Sequence, residues 1–140
     1  MKELRLVSFL PAATEMACTL GLADQLVGIT QECDYPAEVQ GKPVVVRSVL
    51  PVGTMTPQAI DAAVRERIRT GGSLYAIDER LLRELAPTHI LTQDLCSVCA
   101  PAGRELTCAI EMLPSKPEVL WFSPQSLEEI QNNVLSLGAA

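Results

Sequence analysis

Leu4-Arg5-Leu6-Val7-Ser8-Phe9 lies near the start of the chain and is followed, after Leu10, by Pro11-Ala12-Ala13-Thr14-Glu15. The first stretch is a short apolar run, which predicts a buried β-strand. A proline in the first turn and Gly21 after the last apolar residue predict a helix from Pro11 to about Leu20. The chain therefore begins with a strand that passes directly into a helix, which is the repeating unit of α/β folds.

The same alternation continues along the chain. Further strands are predicted over residues 26–30, 43–46, 89–92 and 117–122, with a small extended piece at 74–76. Helices are predicted over residues 56–69, 78–85 and 104–112, and from Ser126 onward, with Thr56, Asp78 and Ser126 as N-caps. Several strands are apolar without alternation, which is typical of a parallel sheet covered on both faces. We therefore expect an α/β fold: a three-layer lobe with a short, mostly parallel sheet of about four to five strands flanked by helices.

Composition limits the classes of function. The chain has 140 residues, of which 48% are hydrophobic and 20% charged, and a net charge of −6. These values are typical of one globular domain and argue against a nucleic-acid partner, because no basic stripe is present to neutralise phosphates. No stretch has the length of a membrane span or of a secretory signal. From these features alone we expect a cytoplasmic chain, or a mature form whose leader has been removed.

Two cysteine-bearing loops concentrate the possible chemistry. Gln31-Glu32-Cys33-Asp34-Tyr35-Pro36 follows one predicted strand, and Gln93-Asp94-Leu95-Cys96-Ser97-Val98-Cys99 follows another. Open α/β sheets bind ligands at the edge where their parallel strands end. The two loops are therefore predicted to form rims of one ligand site.

The thiols in these loops allow three interpretations. Cys96 and Cys99 have a spacing used for zinc or for a redox pair, and Cys33 would be a third metal ligand if the loops converge. The alternatives are a disulfide or redox pair, and simple packing at the rim. The sole histidine, His89, lies at the start of its strand, away from this edge, and is not expected to be a ligand. Cys18 and Cys108 lie in helical stretches and are expected to be small buried residues.

Other side chains at the same edge suit a ligand. Pro11 and the alanines after it form an apolar ledge at a helix N-terminus, where Thr14 and Glu15 could equally serve only to cap the helix. Tyr35 offers an aromatic face with a polar tip. Arg47 could clamp a polar ligand group, or it could pair with Asp34 or Glu32 and only hold the loop.

Residues 5–15 resemble the opening of cobalamin-type substrate-binding proteins of ABC transporters. The order of Glu32-Cys33-Asp34-Tyr35-Pro36, Arg47-Ser48, residues 74–99 and residues 117–127 resembles the same family, with Gln31 where a histidine is usual. The resemblance implies the helical-backbone, class III periplasmic-binding-protein fold, in which two α/β lobes joined by one long helix hold a ligand between them. Residues 1–125 then correspond to the N-terminal lobe and residues 126–140 to the start of the interlobe helix, and the C-terminal lobe is absent.

The resemblance also implies a function. It predicts a binding protein without enzymatic activity that delivers cobalamin, another corrinoid or a related metal chelate to an ABC transporter permease, requires no cofactor and works outside the cytoplasm. Glu79 matches the acidic residue that docks on the permease, and the alternative is an acid that only stabilises the helix dipole. The ligand-binding positions expected at the edge where the parallel strands end are Pro11, Ala12, Ala13, Thr14, Glu32, Cys33, Asp34, Tyr35, Arg47, Gln93, Asp94 and Cys96.

Two alternatives remain open. One is a thiol-based metal-binding or redox protein that uses Cys33, Cys96 and Cys99. The other is a single lobe that only self-associates as a homodimer, through the face left bare by the missing lobe. Ile130, Val134 and Leu137 on the last helix would favour such pairing.

Overall fold

The computed structural model describes residues 3–94, 96, 98, 100–101 and 104–140. The strands are β1 (Leu6–Ser8), β2 (Leu26–Thr30), β3 (Val44–Ser48), β4 (Tyr75–Ile77), β5 (His89–Thr92) and β6 (Glu118–Trp121). The α-helices are α1 (Pro11–Thr19), α2 (Pro57–Arg69), α3 (Glu79–Leu85), α4 (Arg104–Glu111) and α5 (Leu127–Ala139). The predicted α/β class and the position of every predicted helix are confirmed.

The described strands form one sheet in the order β4-β3-β2-β1-β5-β6. β1 lies in the middle and pairs in parallel with both β2 and β5. β4 alone runs antiparallel, against β3. The predicted strand count of four to five is therefore too low, because the extended piece near Tyr75 pairs with β3 and becomes an edge strand.

Helices cover the sheet on both faces. Leu6, Ile29 and Leu91 belong to one buried cluster, which also contains Ala13 and Ala17 of α1 and Leu137 of α5. Val7, Val45 and Ile90 belong to a second cluster, with Leu82 of α3 and Leu106 of α4. Successive side chains of a strand point to opposite faces, so consecutive apolar residues fill both layers. The three-layer architecture is confirmed.

Three helices start at the predicted side-chain caps. The hydroxyl of Thr56 accepts a hydrogen bond from the Ala59 N–H at 3.2 Å, and the carboxylate of Asp78 accepts one from the Leu81 N–H at 2.9 Å. Ser126 likewise accepts from the Glu129 N–H at 3.2 Å. Each cap satisfies one of the N–H groups that the first turn of a helix leaves without a partner. No helix in the described part of the chain is long and apolar enough to cross a membrane.

Two cysteines differ from the prediction of burial. Cys108 is exposed and Cys18 is only half-buried. On α4 the buried residues are Leu106 and Ala109, three positions apart. Cys108 lies between them in sequence, and a step of one or two residues turns a side chain away from the buried face of a helix.

Candidate functional site

The carboxyl ends of the parallel strands meet at one edge of the sheet, which we call the cleft edge. It carries the segments that follow β1, β2, β3, β5 and β6. The chain leaves β1 toward β2 on one side, while β5 and β6 lie on the other side. Such a change of direction opens a crevice between the neighbouring loops, and this is where open α/β sheets bind ligands.

The turn between β1 and α1 forms the middle of the cleft edge. The Ser8 hydroxyl, which is buried, donates to the Leu10 carbonyl at 2.9 Å and fixes this turn. Pro11 is half-buried and Ala12 is exposed. Ala13 and Thr14 are completely buried, so their side chains pack inside the lobe and only Pro11 and Ala12 form the predicted ledge.

The loop after β2 divides its side chains between core and surface. The Cys33 sulfur lies 3.1 Å from Thr14 Oγ1, and Cys33 is only 8% exposed. Burial raises the pKa of the Cys33 thiol, although the hydrogen bond with Thr14 partly opposes this effect. Cys33 thus fastens the loop to α1 as a neutral thiol, while Asp34 and Tyr35 face solvent, the latter 65% exposed.

In the segment after β5, the side-chain amide of Gln93 forms two hydrogen bonds with the backbone. The buried side chain of Gln93 donates to the Cys96 carbonyl at 2.8 Å and accepts from the Cys96 N–H at 2.9 Å. Asp94 is exposed, accepts a hydrogen bond from the Ser123 hydroxyl and so joins this loop to the segment after β6. Of the predicted ligand residues here, Gln93 holds the loop, whereas Asp94 and the half-buried Cys96 are accessible.

The same loop reaches across the cleft edge toward β4. The Tyr75 hydroxyl donates to the Val98 carbonyl at 3.0 Å. Glu32, from the loop after β2, and Val98 line one cavity of about 300 Å³, here called the rim pocket. The two cysteine-bearing loops therefore do meet at this edge.

The described thiols of the two loops, Cys33 and Cys96, do not lie together at the rim pocket. Cys33 packs with α1 on one face of the sheet, whereas the loop that carries Cys96 runs toward Tyr75, which packs on the other face. Cys99 lies outside the described residues. Among the residues described, no three His, Cys, Asp or Glu side chains are placed to hold a metal ion. No disulfide joins any two of Cys18, Cys33, Cys96 and Cys108.

Arg47 and His89 lie at opposite ends of the strands. Arg47 is exposed near the end of β3, and within the described chain it forms no ion pair with Asp34 or Glu32. Its cation is therefore open to a ligand. The His89 Nδ1 lies 2.9 Å from Thr88 Oγ1, and its Nε2 lies 3.6 Å from Glu118 Oε2, at the edge away from the cleft.

Sequence reasoning missed the aliphatic wall of the rim pocket. This wall consists of Leu50, Val52, Ile60, Val64 and Leu74. Ile60 and Val64 lie four residues apart on α2, a spacing that placed them on one apolar face but did not show what that face covers. Glu79 lines a separate cavity of about 380 Å³, with Arg104 and Cys108 of α4.

Comparison with known proteins places the fold. No protein-family model and no curated protein matches this sequence. The structure is similar to the periplasmic vitamin B12 binding protein BtuF of Vibrio cholerae, with a TM-score of 0.65 and 21% identity over 96% of this chain and 40% of that one. It is also similar to a possible iron-binding periplasmic solute-binding protein from Staphylococcus epidermidis, with a TM-score of 0.64 and 20% identity over 99% and 42% of the two chains.

A third similar structure is the periplasmic heme binding protein HutB of Vibrio cholerae, with a TM-score of 0.59 and 20% identity over 99% of this chain and 42% of that one. The chain thus spans about two fifths of the length of each of these three solved structures. At such identities the likeness concerns the fold. The chain has an α/β fold that is also found in periplasmic binding proteins for vitamin B12 and heme and in a possible iron-binding protein.

Proposed function

We propose that this chain is the N-terminal lobe of a substrate-binding protein that delivers a corrinoid, or a related metal chelate, to an ABC importer. One observation carries the proposal: the cleft edge of this fold bears an exposed ledge, an exposed aromatic ring and a cation that has no ion pair among the described residues. They belong to Ala12, Tyr35 and Arg47. The similar solved structures are a vitamin B12 binding protein, a heme binding protein and a possible iron-binding protein, which supports a large metal chelate as the ligand.

The chemistry of this edge suits capture of a large flat ligand. The ring of Tyr35 and the ledge at Pro11 and Ala12 offer apolar area to a conjugated ring. Arg47 provides donors, and the carboxylates of Asp34 and Asp94 accept hydrogen bonds from amides at the ligand periphery. These groups bind and orient, and the proposed role involves no bond chemistry.

Calorimetric titration of the 140-residue chain with cyanocobalamin and with hemin tests this function. We expect saturable binding of at least one of them. Tyr35→Ala should weaken that binding about fivefold, because stacking on an aromatic ring contributes about 1 kcal/mol. Met112→Ala is the control, since this residue is also half-exposed but lies just beyond α4, away from the cleft edge. Absence of any heat or spectral change with either ligand would contradict the proposal.

The thiol-based alternative receives less support. A buried thiol with a raised pKa is a poor metal ligand and a poor nucleophile, since both roles need the thiolate. Elemental analysis of the purified protein tests the alternative directly. Stoichiometric zinc or iron that is lost in Cys96→Ser would favour it over ligand capture.

The proposed partner is an ABC transporter permease, and the proposed location is extracytoplasmic, as for the similar periplasmic proteins. Glu79 is exposed at the first residue of α3, where a carboxylate is available to a cationic partner. Glu79→Arg should abolish co-purification with the permease and leave ligand binding unchanged. Glu111→Arg, an exposed acid on α4, is the matched control and should preserve both.

Self-association is a second candidate, favoured by the surface of α5. Leu127 and Leu135 are 80% and 70% exposed. Leu137, predicted to face a second copy, is instead buried in the α1 cluster and cannot contribute. Light scattering that shows a dimer, and a monomer for Leu127→Gln with Leu135→Gln, would support pairing through this helix, whereas a monomeric parent chain would exclude it.

A further inference from the structure

The rim pocket is lined mainly by aliphatic side chains, unlike the rest of the cleft edge. Five aliphatic side chains form its wall: Leu50, Val52, Ile60, Val64 and Leu74. The pocket holds about 300 Å³, which is at the small end of ligand-binding cavities. A volume of this size accommodates one side group of a large ligand and not a whole macrocycle.

Its outer wall is a helix that packs incompletely. Helix α2 contributes Ile60 and Val64 to the pocket, and none of its 13 residues is fully buried. Val98 also lines the pocket, and its carbonyl accepts a hydrogen bond from the Tyr75 hydroxyl at 3.0 Å. The pocket therefore lies beside a helix without fully buried residues and beside the hydrogen-bonded Val98.

The polar groups of the rim pocket favour one kind of partner. Glu32 is exposed at its margin, where its Oε1 accepts from Gln31 Nε2 at 2.9 Å and retains further capacity to accept. The side-chain hydroxyl oxygen of Ser48 accepts a hydrogen bond from the Leu50 N–H at 3.1 Å. No lysine or arginine is among the described residues that line the pocket.

From this arrangement we propose that the rim pocket binds an N–H donor, an amide or an ammonium group, carried on a short aliphatic stem. The stem fills the aliphatic wall, and the donor faces the Glu32 carboxylate. A carboxylate on the same stem is rejected, because it would lie beside Glu32 without a compensating cation. The inference deepens the proposed binding function and rests on it for the natural ligand, of which this group is one peripheral arm.

Three matched probes test the pocket on the isolated chain: isovaleramide, isoamylamine and isovalerate. They share one isobutyl stem and differ only in the polar end. In methyl-labelled protein we expect the amide or the amine to shift the signals of Leu50, Val52 and Leu74, with dissociation constants of about 1–10 mM for so few atoms. Isovalerate should bind at least about fivefold more weakly. Equal binding of all three, or no shift with any of them, would overturn the inference.

Two substitutions separate the charge from the cavity. Glu32→Gln keeps an accepting oxygen but removes the charge, so it should weaken isoamylamine about fivefold and isovaleramide less than twofold. Glu38→Gln, an exposed acid outside the rim pocket, should change neither. Val64→Phe should fill the cavity and abolish binding of every probe, while circular dichroism confirms that the fold is intact. Retained probe binding in Val64→Phe would overturn the site.

Corrinoid titration of the same variants distinguishes the two proposals. Probe binding without any corrinoid or hemin binding would contradict the proposed function and leave the pocket as a donor site. Corrinoid binding that is unchanged in both Glu32→Gln and Val64→Phe would overturn the inference and leave the proposed function standing. A corrinoid affinity that falls at least fivefold in Val64→Phe supports both.

Discussion

Helices α1 and α2 begin in the same way and end up in different roles. Each has a proline at its first position and follows a strand at the cleft edge. Helix α1 buries Ala13, Thr14 and Ala17 completely, whereas α2 buries none of its residues. Helix α1 has no side-chain cap, but α2 has Thr56. Burial therefore holds α1, and local hydrogen bonding contributes more to α2.

This difference in burial predicts a difference in rigidity between the two helices. The small side chains of α1 let it approach the sheet closely, so the ledge at its N-terminus is fixed. Helix α2 has no fully buried residue and lines the rim pocket, so we expect its position to adjust at little cost in packing. We therefore expect the part of the cleft edge formed by α1 to be rigid and the part formed by α2 to be adaptable.

The comparison is sharpest when one alanine in each helix is enlarged. Ala17→Leu should lower the free energy of unfolding by about 1–3 kcal/mol, because the larger side chain overpacks a completely buried site. Ala63→Leu, at a half-buried position of α2, should change it by less than about 0.5 kcal/mol. Urea denaturation of both variants measures the contrast. Similar losses for the two would show that α2 is packed as tightly as α1.

A smaller effect is expected from removal of the α2 cap. Thr56→Ala loses the hydrogen bond to the Ala59 N–H, which is typically worth about 1 kcal/mol. Since α2 is held largely by local interactions, amide hydrogen exchange should become about fivefold faster within residues 57–69 and remain unchanged in α1. Thr54→Ala is the control, because the Thr54 hydroxyl bonds to Pro51 and not to the helix. Faster exchange throughout the chain would contradict a locally stabilised α2.

The smallest effect concerns the thiol beneath α1. Burial raises the folded-state pKa of Cys33 above its ordinary value of 9.0. Below that value the thiol is protonated in both states, so its contribution to stability is fully present. Above it the unfolded thiol ionises first, and the free energy of unfolding should fall as the pH rises through the folded-state pKa.

Cys33→Ala should therefore flatten the loss of stability above about pH 9, as measured by urea denaturation across a pH series. Cys18, whose pKa is also raised by burial, leaves a residual slope. Cys108→Ala is the control, because that thiol is exposed. An unchanged slope in Cys33→Ala would show that its thiol does not govern the alkaline limb.

Local signals in the sequence determined the helices well. Thr56 with Pro57 and the pair Gly71-Gly72 delimit α2 without reference to the rest of the chain, because caps and turns depend on nearby residues. The pairing of β4 was not predictable in this way. Three extended residues contain no information about their partner, and the antiparallel register of Tyr75 with Ser48 depends on the excursion through α2.

The candidate site was predicted in outline only. The strand ends correctly located the edge that carries Tyr35 and Asp94. The direction of Cys33 was not predictable from its loop, because a thiol suits both a metal site and a buried contact with Thr14. The rim pocket depends on Val98 reaching toward Tyr75, a contact between segments 23 residues apart for which the sequence gives no local signal.

The central position of β1 has a consequence for how the chain folds as it is synthesised. The hydrogen bond between the Arg5 N–H and Thr88 Oγ1, just before β1 and β5, spans 83 residues. Pairings of such sequence separation are slow to form, because a long loop must close first. During translation β1 can pair with β2 early, but its other edge stays open until β5 has left the ribosome. Until then we expect the nascent chain to expose unpaired N–H and C=O groups along one edge of its apolar central strand, the state in which it is most open to chaperones and to aggregation.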